Sequence, residues 1–305
     1  MWKPAPAPWC RPSTLPRGAP DECCCFPVFD ATVCELGEGP LWHPLRRQLF
    51  WFDILNKSLL TQENDHTRIY RFETLVSAAG WVDERKLLIA SDRELFSFDV
   101  ETGAARTLCA LEADNPATRS NDGRADPYGG FWIGTMGKNA EKDAGAIYRW
   151  YRGELRKLFA PITISNSIAF APDGETAFFS DTVTGRVMRV ALDDSGWPKG
   201  EPEVFLDLTS ESRNPDGAVV DESGLLWLAE WGSSRVAAYA PDGSFVRDIA
   251  FDAPTPAARP LAATTLAPSS APAPVRASAP VPAAKPLSGM TFAAASGRAA
   301  RKSTE

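Results

Sequence analysis

An apolar strand pattern recurs along the chain at a nearly constant spacing, and this repeat limits the fold more than any other feature. Five apolar runs align on residues that follow one another at 38, 44, 46 and 49 positions: Phe50, Leu88, Trp132, Phe178 and Trp227. A period of about 40–50 residues with four short strands per unit is typical of β-propeller blades. A β-sandwich with accidental spacing is the alternative, and the regular repeat disfavours it.

Turn-forming sequences separate the apolar runs within the repeats. Pro172-Asp173-Gly174, Glu222-Ser223-Gly224 and Pro241-Asp242-Gly243 each lie between two apolar runs, as hairpin turns do. The pattern predicts an all-β fold with five recognisable propeller blades, which begin near these residues: Val28, Ser77, Arg119, Ile164 and Pro215.

The chain changes character near residue 252. Residues 252–305 contain nine prolines, seventeen alanines and one aromatic residue, so they carry too little apolar surface to offset the entropy lost on folding. We therefore expect three parts: a disordered or mis-assigned N-terminal extension at 1–27, a propeller domain at 28–251, and a disordered Ala/Pro-rich tail at 252–305.

The composition of this tail is also what a GC-rich gene yields when it is read out of frame. Residues 254–263 can be encoded so that the neighbouring frame reads His-Thr-Ser-Cys-Pro-Ala-Phe-Gly-Gly, which would open a further blade. We therefore expect a propeller of the six-bladed type with about five blades present and the last lost to a frameshift near residue 253. A genuine Pro-rich linker is the alternative.

Charge and motif content disfavour several functional classes. The net charge of −7 argues against nucleic acid or an anionic membrane as a partner. The chain has only two histidines, His43 and His66, and no Gly-x-Ser-x-Gly, so a Ser/His/Asp hydrolase is not expected. We find no apolar run that suggests a signal peptide or a membrane span, and we expect a cytoplasmic protein.

Polar residues stand at the entrances of three predicted blades. Glu38, Asn166 and Asp216 occupy equivalent positions in the first, fourth and fifth repeats. Two carboxylates and one amide oxygen suit a hard divalent cation such as Ca²⁺, Mg²⁺ or Mn²⁺, and Zn²⁺ is a further candidate. Each residue alone is more typical of a turn, but three at blade entrances favour a metal site on the propeller axis.

The same residues lie in short motifs that follow one another in order along the chain. These are Glu38-Gly39-Pro40-Leu41-Trp42, Arg119-Ser120-Asn121-Asp122-Gly123, Gly134-Thr135-Met136, Ser165-Asn166-Ser167 and Pro215-Asp216-Gly217. Over about residues 28–251 the chain resembles the gluconolactonase / senescence marker protein (regucalcin) family.

This resemblance implies a six-bladed propeller with a divalent metal on its axis and a sugar-acid lactone as substrate. Lactones of the gluconolactone, xylonolactone and arabinonolactone types are the expected class. The resemblance also implies that Glu38, Asn166 and Asp216 are metal ligands, and that Arg119 and Asn121 contact the substrate.

The chain departs from the family pattern at three places. Ser167 stands where the family usually has glycine after the asparagine. Asn139 lies near the position where some members carry an acidic substrate contact. The final Phe-Gly-Gly blade is missing from this reading frame.

The predicted function is a metal-dependent hydrolase in which a water activated by the cation opens the lactone. Asp216 is expected to act as the general base as well as a ligand, and Arg119 to present a planar fork of donors to the sugar. A non-catalytic calcium-binding regulatory propeller and an interaction scaffold are the alternatives. The sequence does not predict the oligomeric state.

Overall fold

The computed structural model describes residues 29–64 and 66–251, which form five four-stranded antiparallel sheets with their strands in chain order. Blade 1 contains β1 (Gly37–His43), β2 (Gln48–Asp53), β3 (Ser58–Glu63) and β4 (His66–Arg71). Blade 2 contains β5 (Val76–Trp81), β6 (Lys86–Ser91), β7 (Glu94–Asp99) and β8 (Ala105–Ala110). Blade 3 contains β9 (Thr118–Ala125), β10 (Phe131–Gly137), β11 (Gly145–Tyr151) and β12 (Glu154–Ile162). Blade 4 contains β13 (Ser165–Phe170), β14 (Thr176–Asp181), β15 (Arg186–Leu192) and β16 (Pro198–Asp207). Blade 5 contains β17 (Asn214–Val220), β18 (Leu226–Trp231), β19 (Arg235–Tyr239) and β20 (Phe245–Ala250).

The five predicted blades are confirmed, and the aligned apolar runs are the second strand of each blade. These strands alternate between two buried faces, which explains why the repeat is visible in the sequence. The predicted start of the first blade was wrong. Its first strand begins at Gly37 rather than near Val28, because residues 29–36 form a lead-in segment outside the sheet.

Neighbouring blades pack through their first strands and through the apolar faces of their sheets. β1 lies against β5, β5 against β9, β9 against β13, and β13 against β17. Hydrophobic clusters fill the space between adjacent blades, for example Phe50 with Leu87 between blades 1 and 2. The outer faces of blades 1 and 5 carry separate clusters, centred on Trp51 and Trp227, whose strand residues come from one blade each. Over the described residues no comparable packing joins β17 to β1.

The predicted extension at 1–27 and the predicted tail at 252–305 lie outside the described residues. The six-bladed type and the frameshift therefore stay predictions. Within residues 29–64 and 66–251, no helix has the length and apolar character needed to cross a membrane.

In three of the blades, an acidic residue at or near the end of the second strand binds the segment that leads into the first strand. Asp53 accepts hydrogen bonds of 3.0 and 3.1 Å from two backbone amides of the segment that enters β1. Asp181 does the same at 2.8 and 3.0 Å for the segment that enters β13. In blade 5 the equivalent Glu230 instead binds the side chain of Arg213, just before β17. These contacts fix where each first strand begins, and hence where its side chains meet the axis.

His43 is a structural histidine between blades 1 and 2. It is fully buried, and its Nε2 lies 2.9 Å from the carbonyl oxygen of Asp83. Its Nδ1 accepts a hydrogen bond from the backbone amide of Arg46, so Nε2 carries the proton of the neutral ring. Burial lowers the pKa of His43 below its ordinary value, and the nearby Arg46 charge lowers it further. The ring is thus kept neutral by its packing.

Candidate active site on the propeller axis

The candidate ligands lie at irregularities in the pairing of the first and second strands. The register shifts after Glu38 in blade 1, after Asn166 in blade 4, and just before Asp216 in blade 5. Such bulges redirect side chains locally. The residues that follow the first two, Gly39 and Ser167, have φ values of 56° and 59°. Each of the three candidate ligands therefore lies at a bulge in the first strand of its blade.

Hydrogen bonds join the predicted substrate contacts to one candidate ligand. Arg119 Nη1 donates to Asn121 Oδ1 at 2.7 Å, and Asn121 Nδ2 donates to Asn166 Oδ1 at 3.1 Å. Asn121 Nδ2 also donates to the Ser165 carbonyl at 2.9 Å, and Asn166 Nδ2 donates to Thr182 Oγ1 at 2.8 Å. Blades 3 and 4 are thereby linked through the polar residues that the sequence singled out.

Three acidic side chains approach the same region from three blades. Burial raises the pKa of Glu38 well above its usual range; the negative charges of Asp216 and Asp122 raise it further, and Arg119 opposes the shift. Burial, and then the charge of Asp122, raise the pKa of Asp216 to about 6. Burial is also the main cause that raises the pKa of Asp122. Glu38 therefore lies within electrostatic reach of Asp216, Asp122 and Arg119.

Asp122 and Arg124 are axial residues whose contacts the sequence did not predict. Asp122 Oδ2 accepts a hydrogen bond of 2.8 Å from the backbone amide of Ile168. Arg124 Nε donates to the Ile168 carbonyl at 2.8 Å, and its Nη2 donates to the Ala218 carbonyl at 2.9 Å. The guanidinium therefore crosses from blade 3 to blades 4 and 5. The available signal was the charge alternation in the Asn-Asp-Gly-Arg run, but it does not identify partners on other blades.

The donor set of Glu38, Asn166 and Asp216 fits a hard divalent cation. All three offer oxygen, and the mutual repulsion of the two carboxylates is the electrostatic condition that a bound cation relieves. Across the described ranges, no group of three His, Cys, Asp or Glu side chains is placed to hold a metal by itself.

The position that follows the Gly-Thr-Met motif lies on an exposed loop. Asn139 is exposed, and its backbone and side-chain amides donate to the Glu141 carboxylate at 3.0 and 2.9 Å. An acidic group is thus present beside Asn139, two residues further along the chain.

The fold and this axial group of residues define a β-propeller protein with a polar, carboxylate-rich site at its centre. A family profile described as the SMP-30/Gluconolactonase/LRE-like region matches residues 36–265. The chain therefore belongs to this family, as its motifs predicted.

Two curated relatives are similar to most of the chain. A protein of Rhizobium meliloti (strain 1021), provisionally named a sugar lactone lactonase, is 41% identical over 232 residues, which are 75% of this chain and 79% of the relative. The L-arabinolactonase of Azospirillum brasilense is 35% identical over 216 residues, which are 68% of this chain and 71% of the relative. The family and these relatives support lactone hydrolysis.

A solved structure shares the fold at similar sequence identity. It is a calcium-binding protein, regucalcin, from Agrobacterium tumefaciens strain C58, with 43% identity and a TM-score of 0.71. The match covers 72% of this chain and 76% of that protein. The expectation of family membership is thus confirmed by both sequence and structure.

Proposed function

We propose that this chain hydrolyses the lactone of a sugar acid with one divalent cation held by Glu38, Asn166 and Asp216. The proposal is supported by the hydrogen-bonded chain of Arg119, Asn121 and Asn166 and by the electrostatic effect of Asp216 and Arg119 on the buried Glu38 carboxyl. Candidate ligands and candidate substrate contacts are then parts of one site. The lactonase names of the relatives support the reaction class.

The cation, which is Ca²⁺, Zn²⁺, Mg²⁺ or Mn²⁺ in this proposal, would polarise the lactone carbonyl and lower the pKa of a water molecule. Asp216 would accept the proton of the attacking water as a general base. Water is the nucleophile, so no covalent intermediate with the protein is expected.

Arg119 and Asn121 would hold the sugar, but with different capacities. Arg119 Nη1 donates hydrogen bonds to the Ser120 carbonyl and to Asn121 Oδ1. The other N–H groups of the guanidinium would therefore bind the substrate. Asn121 uses both amide protons on neighbouring protein oxygens. Its Oδ1 keeps a second lone pair, so Asn121 would accept from a sugar hydroxyl rather than donate to one.

A calcium-binding propeller without turnover is the second candidate. The calcium-binding description of the Agrobacterium regucalcin favours it. The same three ligands would hold Ca²⁺ in that case, while Arg119 and Asn121 would have no substrate. A hydrolysis assay therefore separates the two functions.

The test is lactone hydrolysis by the full chain, measured by acid release from glucono-, xylono- and arabinonolactone. Chelation should abolish the activity and one of the four cations should restore it. Glu38→Gln, Asn166→Ala and Asp216→Asn should each lower kcat/KM at least about 100-fold, since a site with three protein ligands cannot spare one. Arg119→Lys should lower kcat/KM but keep cation affinity, because the charge remains and the planar fork is lost.

Glu201→Gln is the matched control, because it removes an exposed carboxylate on β16. This variant should behave as the wild type. Near-normal hydrolysis and cation affinity in Asp216→Asn would refute the proposed ligand set. Loss of cation binding in Arg119→Lys would show that Arg119 is misassigned. Cation binding without hydrolysis of any lactone would favour the regulatory alternative.

A further inference from the structure

Thr182 lies behind Asn166 and connects blade 4 to blade 5. It opens the short 3-10 turn Thr182–Thr184 that follows β14, and it is 8% exposed. Its Oγ1 accepts a hydrogen bond of 2.8 Å from Asn166 Nδ2 and donates one of 2.8 Å to the Pro215 carbonyl. One hydroxyl therefore contacts the side chain of one candidate ligand and the backbone just before another, Asp216.

The direction of every hydrogen bond in this chain of groups follows from its two ends. Arg119 can only donate, so Asn121 presents its oxygen to the guanidinium and its NH₂ to Asn166. The Pro215 carbonyl can only accept, so the single hydroxyl proton of Thr182 is directed to it. The Thr182 oxygen is then an acceptor toward Asn166.

Asn166 is consequently held in one of its two amide orientations. Its NH₂ faces the acceptor Thr182, and its Oδ1 faces the donor Asn121. In the reversed orientation, the NH₂ of Asn166 would face the NH₂ of Asn121, and its oxygen would face the Thr182 oxygen. Donor would then face donor, and acceptor would face acceptor. Because Asn166 is only 7% exposed, those unmet groups would find little compensation from water.

From these contacts we infer that Thr182 is a positioning residue that keeps Asn166 Oδ1 directed to the cation. This inference rests on the proposed function, because it assumes that Asn166 is a ligand. A second bond supports the link between the blades: Ser167 Oγ donates to the Asp216 carbonyl at 2.5 Å. Blade 4 is thus tied to blade 5 on both sides of Asp216.

Thr182→Val tests the inference, since valine keeps the shape of threonine and removes the hydroxyl. The cation used is the one of Ca²⁺, Mg²⁺, Mn²⁺ and Zn²⁺ that the wild type binds most tightly, titrated alone by calorimetry. We expect the affinity to fall about 10- to 100-fold, as is usual when a group that orients a metal ligand is removed. Thr182→Ser should restore it, and kcat at saturating cation should fall less than affinity does.

Thr184→Val is the matched control in the same turn. Thr184 is exposed, and its hydroxyl donates to the Asp181 carbonyl rather than to a site residue. This variant should bind the cation as the wild type does. Should Thr182→Val fail to fold, Thr182→Ala takes its place with the same expectation.

The outcomes separate this inference from the function on which it rests. Wild-type affinity in Thr182→Val overturns the role of Thr182, even where Glu38→Gln abolishes binding and so supports the ligand set. Wild-type affinity in Glu38→Gln instead contradicts the proposed ligand set. A wild-type protein that binds none of the four cations overturns both.

Discussion

The ion pair between Asp126 and Arg149 offers a sharp test of how blade 3 is stabilised. Both side chains are fully buried, and Arg149 Nε lies 2.6 Å from Asp126 Oδ2. The guanidinium also lies 4.5 Å from the ring of Tyr151 and 4.4 Å from that of Trp197. Asp126 Oδ1 accepts two backbone hydrogen bonds, of 2.9 and 2.8 Å, within the β9–β10 turn.

Asp126→Asn should destabilise the protein by about 3–5 kcal/mol, because it leaves a buried guanidinium without its counter-charge. The asparagine oxygen can still accept the two turn amides, but its NH₂ then faces the Nε–H donor of Arg149, so the hydrogen bond to Arg149 is lost together with the charge. Arg149→Met should also be costly, because it leaves the buried Asp126 carboxylate without its counter-charge. The double variant should be more stable than Asp126→Asn alone, because it buries no unpaired charge.

Urea unfolding followed by tryptophan fluorescence measures these differences, provided that the slope with denaturant stays constant. Asp126 directly follows β9 and is seven residues beyond Arg119 in the chain, about 23 Å at the rise of an extended strand. Hydrolysis by the folded fraction should therefore be unchanged. A cost below about 1 kcal/mol for Asp126→Asn, or a double variant whose cost is the sum of the single ones, would refute this reasoning.

Two further predictions concern blade 1. Gly39→Ala should abolish hydrolysis and lower stability by well over 1 kcal/mol, because φ is +56° there and a Cβ would collide with the Ser77 carbonyl. For His43, the folded pKa is lowered, so the unfolded chain binds more protons and stability falls as pH drops below about 6.5. His43→Gln should lose less stability than the wild type between pH 7.5 and 5.5, measured by urea unfolding at each pH.

Each of these predictions has a control elsewhere in the chain. Gly103→Ala tests backbone strain alone, since φ is +73° and no atom lies within 4 Å of the added Cβ; it should cost about 1 kcal/mol and spare activity. Equal losses in Gly39→Ala and Gly103→Ala would mean that the collision is unimportant. His66→Gln removes an exposed histidine and should leave the free energy of unfolding at pH 7.5 close to the wild-type value. Equal pH dependence in the wild type and His43→Gln would contradict the role given to His43.

The five blades and the candidate residues at their entrances could be predicted from the amino-acid sequence alone. Phe50, Trp132 and Trp227 mark the repeat because each lies in a short apolar run, and such a run is typical of a buried strand. Glu38 and Asn166 were recognisable because each precedes such a strand at the same place in its repeat. Both signals lie within short stretches of sequence, so they can be recognised without knowledge of the tertiary structure.

Ser167 shows how far a local departure from a motif can be understood from the sequence. The sequence shows a serine at a position where the family usually has glycine, but it does not show which contacts the serine makes. The structure gives it a φ of 59° and a buried hydroxyl that contacts Ser180 Oγ and the Asp216 carbonyl. The hydrogen bonds that accompany this strained backbone come from another strand and another blade.

The contacts between groups on different blades could not be predicted from the sequence and became known from the folded chain. Arg124 reaches the carbonyl of Ala218, 94 residues away, and Thr182 Oγ1 reaches that of Pro215, 33 residues away. The structure also revealed that the acidic group around Glu38 includes Asp122, which changes the electrostatics of the site. Such contacts depend on the rotation between adjacent blades and on the bulge in each first strand. Neither is encoded in a short window of sequence, because both arise from how whole sheets pack around the axis.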